Sequence, residues 1–186
     1  VMNELSDKAS LNMKNKSLLV IGASGGIGSA FTKLAIESGA NVISASRNPE
    51  NLSIEIDSAE LTTNRVQPLK LDLADQDSVD SAIRSILSMP QLIDGIVFVA
   101  GSAHGALNLM TRGSDLRRVF EVNAFGPFRV LQGVSRKLKQ NASCVFVSSI
   151  SSVLPQRGST VYGSSKAALE RMALGFALEL ADQNIR

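Results

Sequence analysis

Ser17-Leu18-Leu19-Val20-Ile21-Gly22-Ala23-Ser24-Gly25-Gly26-Ile27-Gly28 joins an apolar run to a glycine-rich turn. The first five residues are the short, continuous apolar segment of a strand buried on both faces. After the glycines, Ile27, Phe31, Leu34, Ala35 and Ile36 recur at helical spacing. Strand, glycine turn and helix in that order are the context in which a dinucleotide is bound. Glycines permit the tight turn, and the helix N-terminus offers free N–H groups and a positive dipole to a pyrophosphate. The spacing is Gly22-x-x-x-Gly26-x-Gly28 rather than the commoner G-x-G-x-x-G. An ordinary glycine turn is the plainer alternative, but its place directly after a first strand favours nucleotide binding.

Four more strand-like runs follow. Asn41-Val42-Ile43-Ser44-Ala45 ends at Ser46-Arg47, and Val66 to Leu71 leads into Asp72-Leu73. Ile93 to Gly101 is a fourth run and Cys144-Val145-Phe146-Val147 a fifth. Between them lie a polar helix and loop over residues 48–65, an amphipathic helix from Asp75 to Met89, and a long helical region from Leu107 to Lys139. A last helix runs from about Val161 to Asp182. This alternation predicts an α/β fold, a three-layer, Rossmann-like, doubly wound parallel sheet. Right-handed crossovers then place the glycine turn and Ser149 at one carboxyl edge of the sheet. Residues 1–16 are polar and are expected to form a flexible leader, with 17–186 as a single nucleotide-binding domain.

In such folds the second strand commonly ends in a carboxylate that bonds the adenosine ribose. Here Ser46 and Arg47 stand in that place. A hydroxyl and a guanidinium attract a 2′-phosphate, which favours NADP(H) over NAD(H). An Arg at a loop start facing solvent is the plainer alternative.

Beyond the fifth strand, Tyr162 and Lys166 are four residues apart and so share one face of the last helix. An ammonium beside a phenol favours release of its proton, so the pair can exchange a proton with a carbonyl oxygen. Ser149, at the strand mouth, is placed to bond that same oxygen. Taken alone, Tyr-x-x-x-Lys is common on solvated helix faces.

The rest of the composition excludes much. The chain has 186 residues, 44% of them hydrophobic, with 19 Lys and Arg against 17 Asp and Glu. That near balance points to no nucleic-acid partner. One cysteine, Cys144, permits no intrachain disulfide, and its strand setting suits a small buried hydrophobe. One histidine, His104, and no Cys/His cluster leave no zinc-type site, so no metal is expected. No apolar stretch has the length of a membrane span and no signal-peptide core is present, so a cytoplasmic protein is expected.

Taken together, these features resemble the short-chain dehydrogenase/reductase family from about Lys16 to the last residue. Gly22, Gly26 and Gly28 match its glycine motif, with Ile21 where a Thr is usual. Asp72 with Leu73 matches the acidic site after the third strand, and Asn123 matches the helical Asn. Ser149, Tyr162 and Lys166 match its catalytic set, including the interval of thirteen between Ser149 and Tyr162. The resemblance implies Tyr162 as acid/base, Lys166 as its electrostatic partner and ribose ligand, Ser149 as the carbonyl-orienting hydroxyl, and Asn123 as holder of a water linking Lys166 to solvent. It implies a cofactor site of Gly22, Ser24, Gly26, Ile27, Gly28, Ser46, Arg47, Asp72, Leu73, Ala100, Gly101, Tyr162 and Lys166. Read alone, Asn123 is a solvent-facing helix residue, Ser151 and Ser152 are turn residues, His104 is a loop residue, and Arg157 an exposed cation.

Two departures stand out. Phe98-Val99 replaces a pair of Asn, which shifts part of their bracing role to apolar packing. The sequence also stops at Asn184-Ile185-Arg186, the phrase that introduces a sixth strand and a substrate loop in relatives, so a C-terminal portion is expected to be missing. The implied function is NADP(H)-dependent hydride transfer to or from a small-molecule carbonyl or alcohol. Reduction of a 3-oxoacyl thioester is one common role among relatives, and sugars, steroids and small ketones stay open. The alternative is a nucleotide-binding sensor or scaffold with little turnover. The last helix and the 107–139 segment carry more apolar residues than one buried stripe requires, and relatives pair these helices across a two-fold axis. A homodimer or homotetramer is therefore expected.

Overall fold

A computed structural model describes residues 12–51 and 65–186. Strands β1 (Ser17–Ile21), β2 (Asn41–Ser46), β3 (Val66–Lys70), β4 (Ile93–Phe98) and β5 (Leu138–Phe146) form one parallel sheet in the order β3-β2-β1-β4-β5. The order reverses direction at β1, so the ends of β1 and β4 open a crevice at the carboxyl edge. Helices α1 (Gly26–Glu37), α2 (Gln76–Ser88), α3 (Gly113–Phe120), α4 (Gly126–Val134) and α5 (Thr160–Glu179) supply the outer layers.

The central strand explains the two cores. Every residue of β1 is buried, and alternate side chains point to opposite faces of the sheet. Leu19 and Ile21 join the larger core with Val79, Ile86, Val130 and Leu131, whereas Leu18 and Val20 join Ala35, Ile36 and Val42 under α1. β3 is an outer strand with Gln67, Pro68 and Lys70 exposed, where a proline breaks no interior ladder.

Two boundaries differ from the sequence expectation. The helical region predicted over 107–139 is α3 and α4 joined by a π turn at Glu121–Phe125, and it ends in a 3-10 turn at Ser135–Lys137. β5 begins at Leu138, six residues before Cys144. Its polar start Lys139-Gln140-Asn141 carries a left-handed Asn141 (φ 66°), near a register break against Ile93 and Gly95. At the other end, Arg186 exchanges backbone bonds with Ala142 and Cys144 (3.2 and 2.7 Å). Of the expected leader, Met13 and Lys16 are bonded to the corner before β2, through Ser38 and Asn41 (2.9 and 2.8 Å). The rest of it up to residue 11, and most of the expected 48–65 helix and loop, lie outside the described residues.

Candidate active site

The glycine turn is built by close approach at two of its glycines. Gly22 has φ +93°, and a Cβ there would lie 2.6 Å from the Ala100 nitrogen. A Cβ at Gly28 would lie 2.2 Å from the Gly22 carbonyl oxygen, so the first turn of α1 packs directly on the end of β1. Gly26 differs, because nothing stands within 4 Å of its Cβ position. That open space adjoins the N-terminus of α1, where a phosphate is favoured.

Beside this turn is a cleft of about 900 Å³ along the carboxyl edge. Gly22, Ser24, Ser46, Arg47, Asp72, Leu73, Ala100 and Gly101, all named above as candidate cofactor residues, line it. Gly26, Ile27, Gly28, Tyr162 and Lys166, also expected at the cofactor, do not; Gly28 serves helix packing, and Ile27 is 63% exposed. Arg118 and Val122 line it too, and sequence reasoning missed them. Their signal was the i, i+4, i+8 face Arg118, Val122, Gly126, the last of which would place a Cβ 2.8 Å from Leu73. The Asp72 carboxylate accepts from the Ala74 N–H at 3.0 Å and so shapes the turn that forms this wall.

Phe98 and Val99 show how the absent Asn pair is replaced. Phe98 is buried and stacks on Phe146 of β5, with ring centroids 4.6 Å apart and planes within 1°. Val99 and Ala100 both donate backbone N–H groups to the Ile21 carbonyl, at 3.0 and 2.9 Å. Packing and backbone bonds thus fix the strand end without side-chain amides.

At Gly101 the cleft adjoins Asn123 and Lys166. A Cβ at Gly101 would stand 3.7 Å from both Asn123 Oδ1 and Lys166 Nζ. Lys166 is 4% exposed and donates to the Val147 carbonyl at 2.7 Å. Burial lowers its pKa from the ordinary lysine value. Its Nζ lies 6.0 Å from the centroid of the Tyr162 ring, one helical turn back.

Asn123, in the π turn, is fully buried rather than solvent-facing. Oδ1 accepts from the Ser102 N–H at 2.7 Å, and Nδ2 donates to the Ser102 carbonyl (2.8 Å) and to Ser165 Oγ (2.9 Å). Both amide hydrogens are therefore committed, and the side chain ties the loop after β4 to α5.

Ser149 lies on the turn after β5, and its Oγ accepts from the Ser151 N–H at 3.2 Å. Gly163 of α5 lets that turn approach, since a Cβ there would meet the Ser151 carbonyl at 2.4 Å. Arg157 is exposed. Among the described residues His104 Nε2 is buried without a hydrogen-bond partner, 3.7 Å from an Asp115 carboxylate oxygen. Burial pushes the Cys144 thiol up to about 11, which suits the expected inert side chain. Among the described residues there is no cluster able to hold a metal ion and no helix long and apolar enough to cross a membrane.

A glycine-cradled cleft ending at a buried lysine and its tyrosine neighbour meets its match in known proteins, because residues 16–186 fit the short chain dehydrogenase family. The chain belongs to that family. Among its relatives is the 3-oxoacyl-(acyl-carrier-protein) reductase FabG of Thermotoga maritima, 34% identical over 178 residues, or 95% of this chain and 72% of the relative. A short-chain dehydrogenase from Streptomyces avermitilis superposes with a TM-score of 0.84 at 30% identity, covering 93% of this chain and 63% of that one. The landomycin C-6 ketoreductase LanV, solved with NADP and rabelomycin, superposes with a TM-score of 0.82 at 25% identity, covering 94% and 74%. The chain thus spans roughly two thirds of the length of these short-chain dehydrogenases. Members of the family use a nicotinamide cofactor, and the cleft fits one. Gly26 leaves open space at the start of α1, with nothing within 4 Å of a Cβ there, and the Ser46 Oγ on the cleft wall is buried without a partner among the described residues.

Proposed function

We propose that this chain carries the cofactor and proton-transfer site of an oxidoreductase that uses NADP(H) to interconvert a carbonyl and an alcohol. The observation that carries the reading is the buried Lys166, held between Val147 and the glycine end of the cleft, with Tyr162 one turn away. When bound, the nicotinamide supplies or accepts the hydride. Gly22, Ser24, Asp72, Leu73, Ala100 and Gly101 would hold the cofactor along the cleft, with Gly26 and the start of α1 facing its phosphates.

In the reducing direction Tyr162 donates a proton to the carbonyl oxygen, and in the oxidising direction it takes the proton back. Lys166 keeps a positive charge beside the phenol and supplies donors to the cofactor ribose. Ser149 already accepts through Oγ, which leaves its O–H to donate to the substrate oxygen. Asn123 acts as a positioning residue. It braces Ser102 and, through Ser165, the carbonyl of Tyr162, to which Ser165 Oγ donates at 2.7 Å.

The preference for NADP(H) over NAD(H) rests on Ser46, whose buried hydroxyl lacks a partner among the described residues, and on the exposed Arg47 beside it. The FabG relative makes 3-oxoacyl thioesters the first substrate class to try, in a cytoplasmic setting. A nucleotide-binding sensor without turnover is the second reading, favoured by Phe98-Val99 in place of two amides. NADPH oxidation by the intact protein, assayed with 3-oxoacyl thioesters, sugars, steroids and small ketones, separates the two. Cofactor binding without oxidation of NADPH by any of them would support the sensor.

We also infer a homodimer. Leu116, Phe125 and Phe128 are exposed on the α3–α4 segment, as are Leu174 and Leu178 on α5. Val119 is buried, and Phe176 packs against the core and against Phe128 (ring centroids 5.0 Å), so neither adds to that outer face. Sedimentation of the intact protein at micromolar concentration tests this, with a clean monomer as the contrary result. Leu174→Arg is the appropriate probe, since Phe176→Arg would also disturb the core.

A further inference from the structure

We propose that Glu170 is a positioning residue that clamps the turn carrying Ser149 against the helix carrying Tyr162 and Lys166. Its Oε1 accepts from Ser148 Oγ and stands 2.7 Å from Ser152 Oγ, whose single proton is shared between Glu170 and the Ser149 carbonyl at 2.8 Å. Those two serines flank Ser149 on either side. Tyr162, Lys166 and Glu170 follow at i, i+4 and i+8, so one face of α5 carries all three.

Lys166 already fixes the near end of the turn through the Val147 carbonyl, and Glu170 fixes the next residue and the far end. Between these ties the backbone is closed on itself: the Ser152 N–H donates to the Ser149 carbonyl at 3.0 Å and the Leu154 N–H to the Ile150 carbonyl at 2.9 Å. Ser149 therefore has little freedom to leave the position in which its hydroxyl faces the substrate oxygen. The carboxylate form is the one the site wants. The hydroxyls of Ser148 and then Ser152 lower the Glu170 pKa below its ordinary value, against a smaller opposing effect of burial.

Glu170 does not line the cofactor cleft, so its effect on turnover passes through the turn it holds, with Ser149 at the centre and Val147, the acceptor of Lys166, at the edge. The kinetic arm of this proposal rests on the role given to Ser149 above; the structural arm does not. Glu170→Ala, Glu170→Gln and the pair Ser148→Ala/Ser152→Ala are compared in the intact protein by hydrogen exchange, cofactor binding and carbonyl reduction. Loss of bonds to a charged acceptor is expected to raise exchange at the Ser151 and Ser152 amides about tenfold or more in Glu170→Ala. The same variant is expected to lower kcat roughly tenfold to hundredfold, with cofactor affinity within about twofold of the parent. Glu170→Gln keeps an acceptor oxygen and should restore most of both losses, whereas the double serine variant should reproduce them. Unchanged exchange in Glu170→Ala overturns the clamp. Raised exchange with unchanged kcat overturns its kinetic role. A parent protein that reduces no carbonyl removes the oxidoreductase reading, and exchange alone then judges the clamp.

Discussion

Lys166 and Val147 are joined by a single hydrogen bond: Nζ donates to the carbonyl oxygen at 2.7 Å from a side chain that is 4% exposed. A buried ammonium with one protein acceptor costs stability, and burial accordingly lowers its pKa from 10.5. Between the lowered folded value and the ordinary unfolded one, the unfolded chain binds the extra proton, so stability rises with pH in that window. Below it both states are protonated and the penalty is constant. The stability of the parent relative to Lys166→Met is therefore expected to improve as pH climbs from 7 toward 10.5, by at most about 1.4 kcal/mol per pH unit. Urea unfolding at the two pH values measures it. A difference that does not move would contradict the burial of the charge.

Cofactor choice is tested at Arg47. A charge-assisted contact with a 2′-phosphate contributes about 1.5–3 kcal/mol, which is roughly a tenfold to hundredfold preference for NADPH over NADH. Arg47→Ala should remove most of that preference while leaving NADH affinity nearly unchanged, as read by calorimetric titration. Equal affinities in the parent would remove the case for NADP(H).

The three motif glycines are expected to behave differently. Gly22→Ala and Gly28→Ala force a Cβ to 2.6 Å and 2.2 Å from backbone atoms, the first also at positive φ. Each should cost about 2–5 kcal/mol in denaturant unfolding. Gly26→Ala meets nothing within 4 Å and should change stability by less than about 1 kcal/mol, yet weaken cofactor binding by filling space beside the phosphates. Equal destabilisation by all three would contradict the geometry of the turn.

This contrast marks what could be read in the sequence. The order of strands and helices was legible because β1 is a continuous apolar run and Gly22 and Gly39 mark the ends of β1 and α1. The start of β5 was not, since Lys139-Gln140-Asn141 carries no apolar alternation and is held in place by a tertiary contact, Lys139 to Asp94. At the candidate site, the placing of Tyr162 and Lys166 one turn apart on α5 was legible from spacing. The partners of Asn123 were not, because Ser102 and Ser165 lie 21 and 42 residues away. Periodicity carries no information about such pairs. Glu170 escaped for the same reason, its hydroxyl partners standing 22 and 18 residues back.

Asp94 ties three strand starts together at the opposite edge of the sheet. Its carboxylate accepts from the Ser17 N–H at 2.9 Å, from Lys16 at 3.2 Å and from Lys139 at 2.7 Å. Burial works to raise its pKa, but Lys139, the Ser17 N–H and Lys16 together outweigh it, and the folded value lies below 3.8. A lowered folded pKa contributes stability that is present above the unfolded value and is lost as pH falls through the folded one. Asp94→Asn should therefore cost about 1–3 kcal/mol at pH 7, with the difference shrinking below about pH 4. A pH-independent difference in chemical denaturation would contradict this.

The most direct test of the whole account is single-turnover oxidation of NADPH by the intact protein and its Tyr162→Phe variant, with a carbonyl substrate that the parent reduces. Phe keeps the ring but removes the transferable proton. The expected result is a loss of about 10²–10⁴-fold in the reduction rate, with NADPH affinity within about twofold of the parent. A Tyr162→Phe protein that reduces the carbonyl at near the parent rate would contradict the assignment of Tyr162 as the acid.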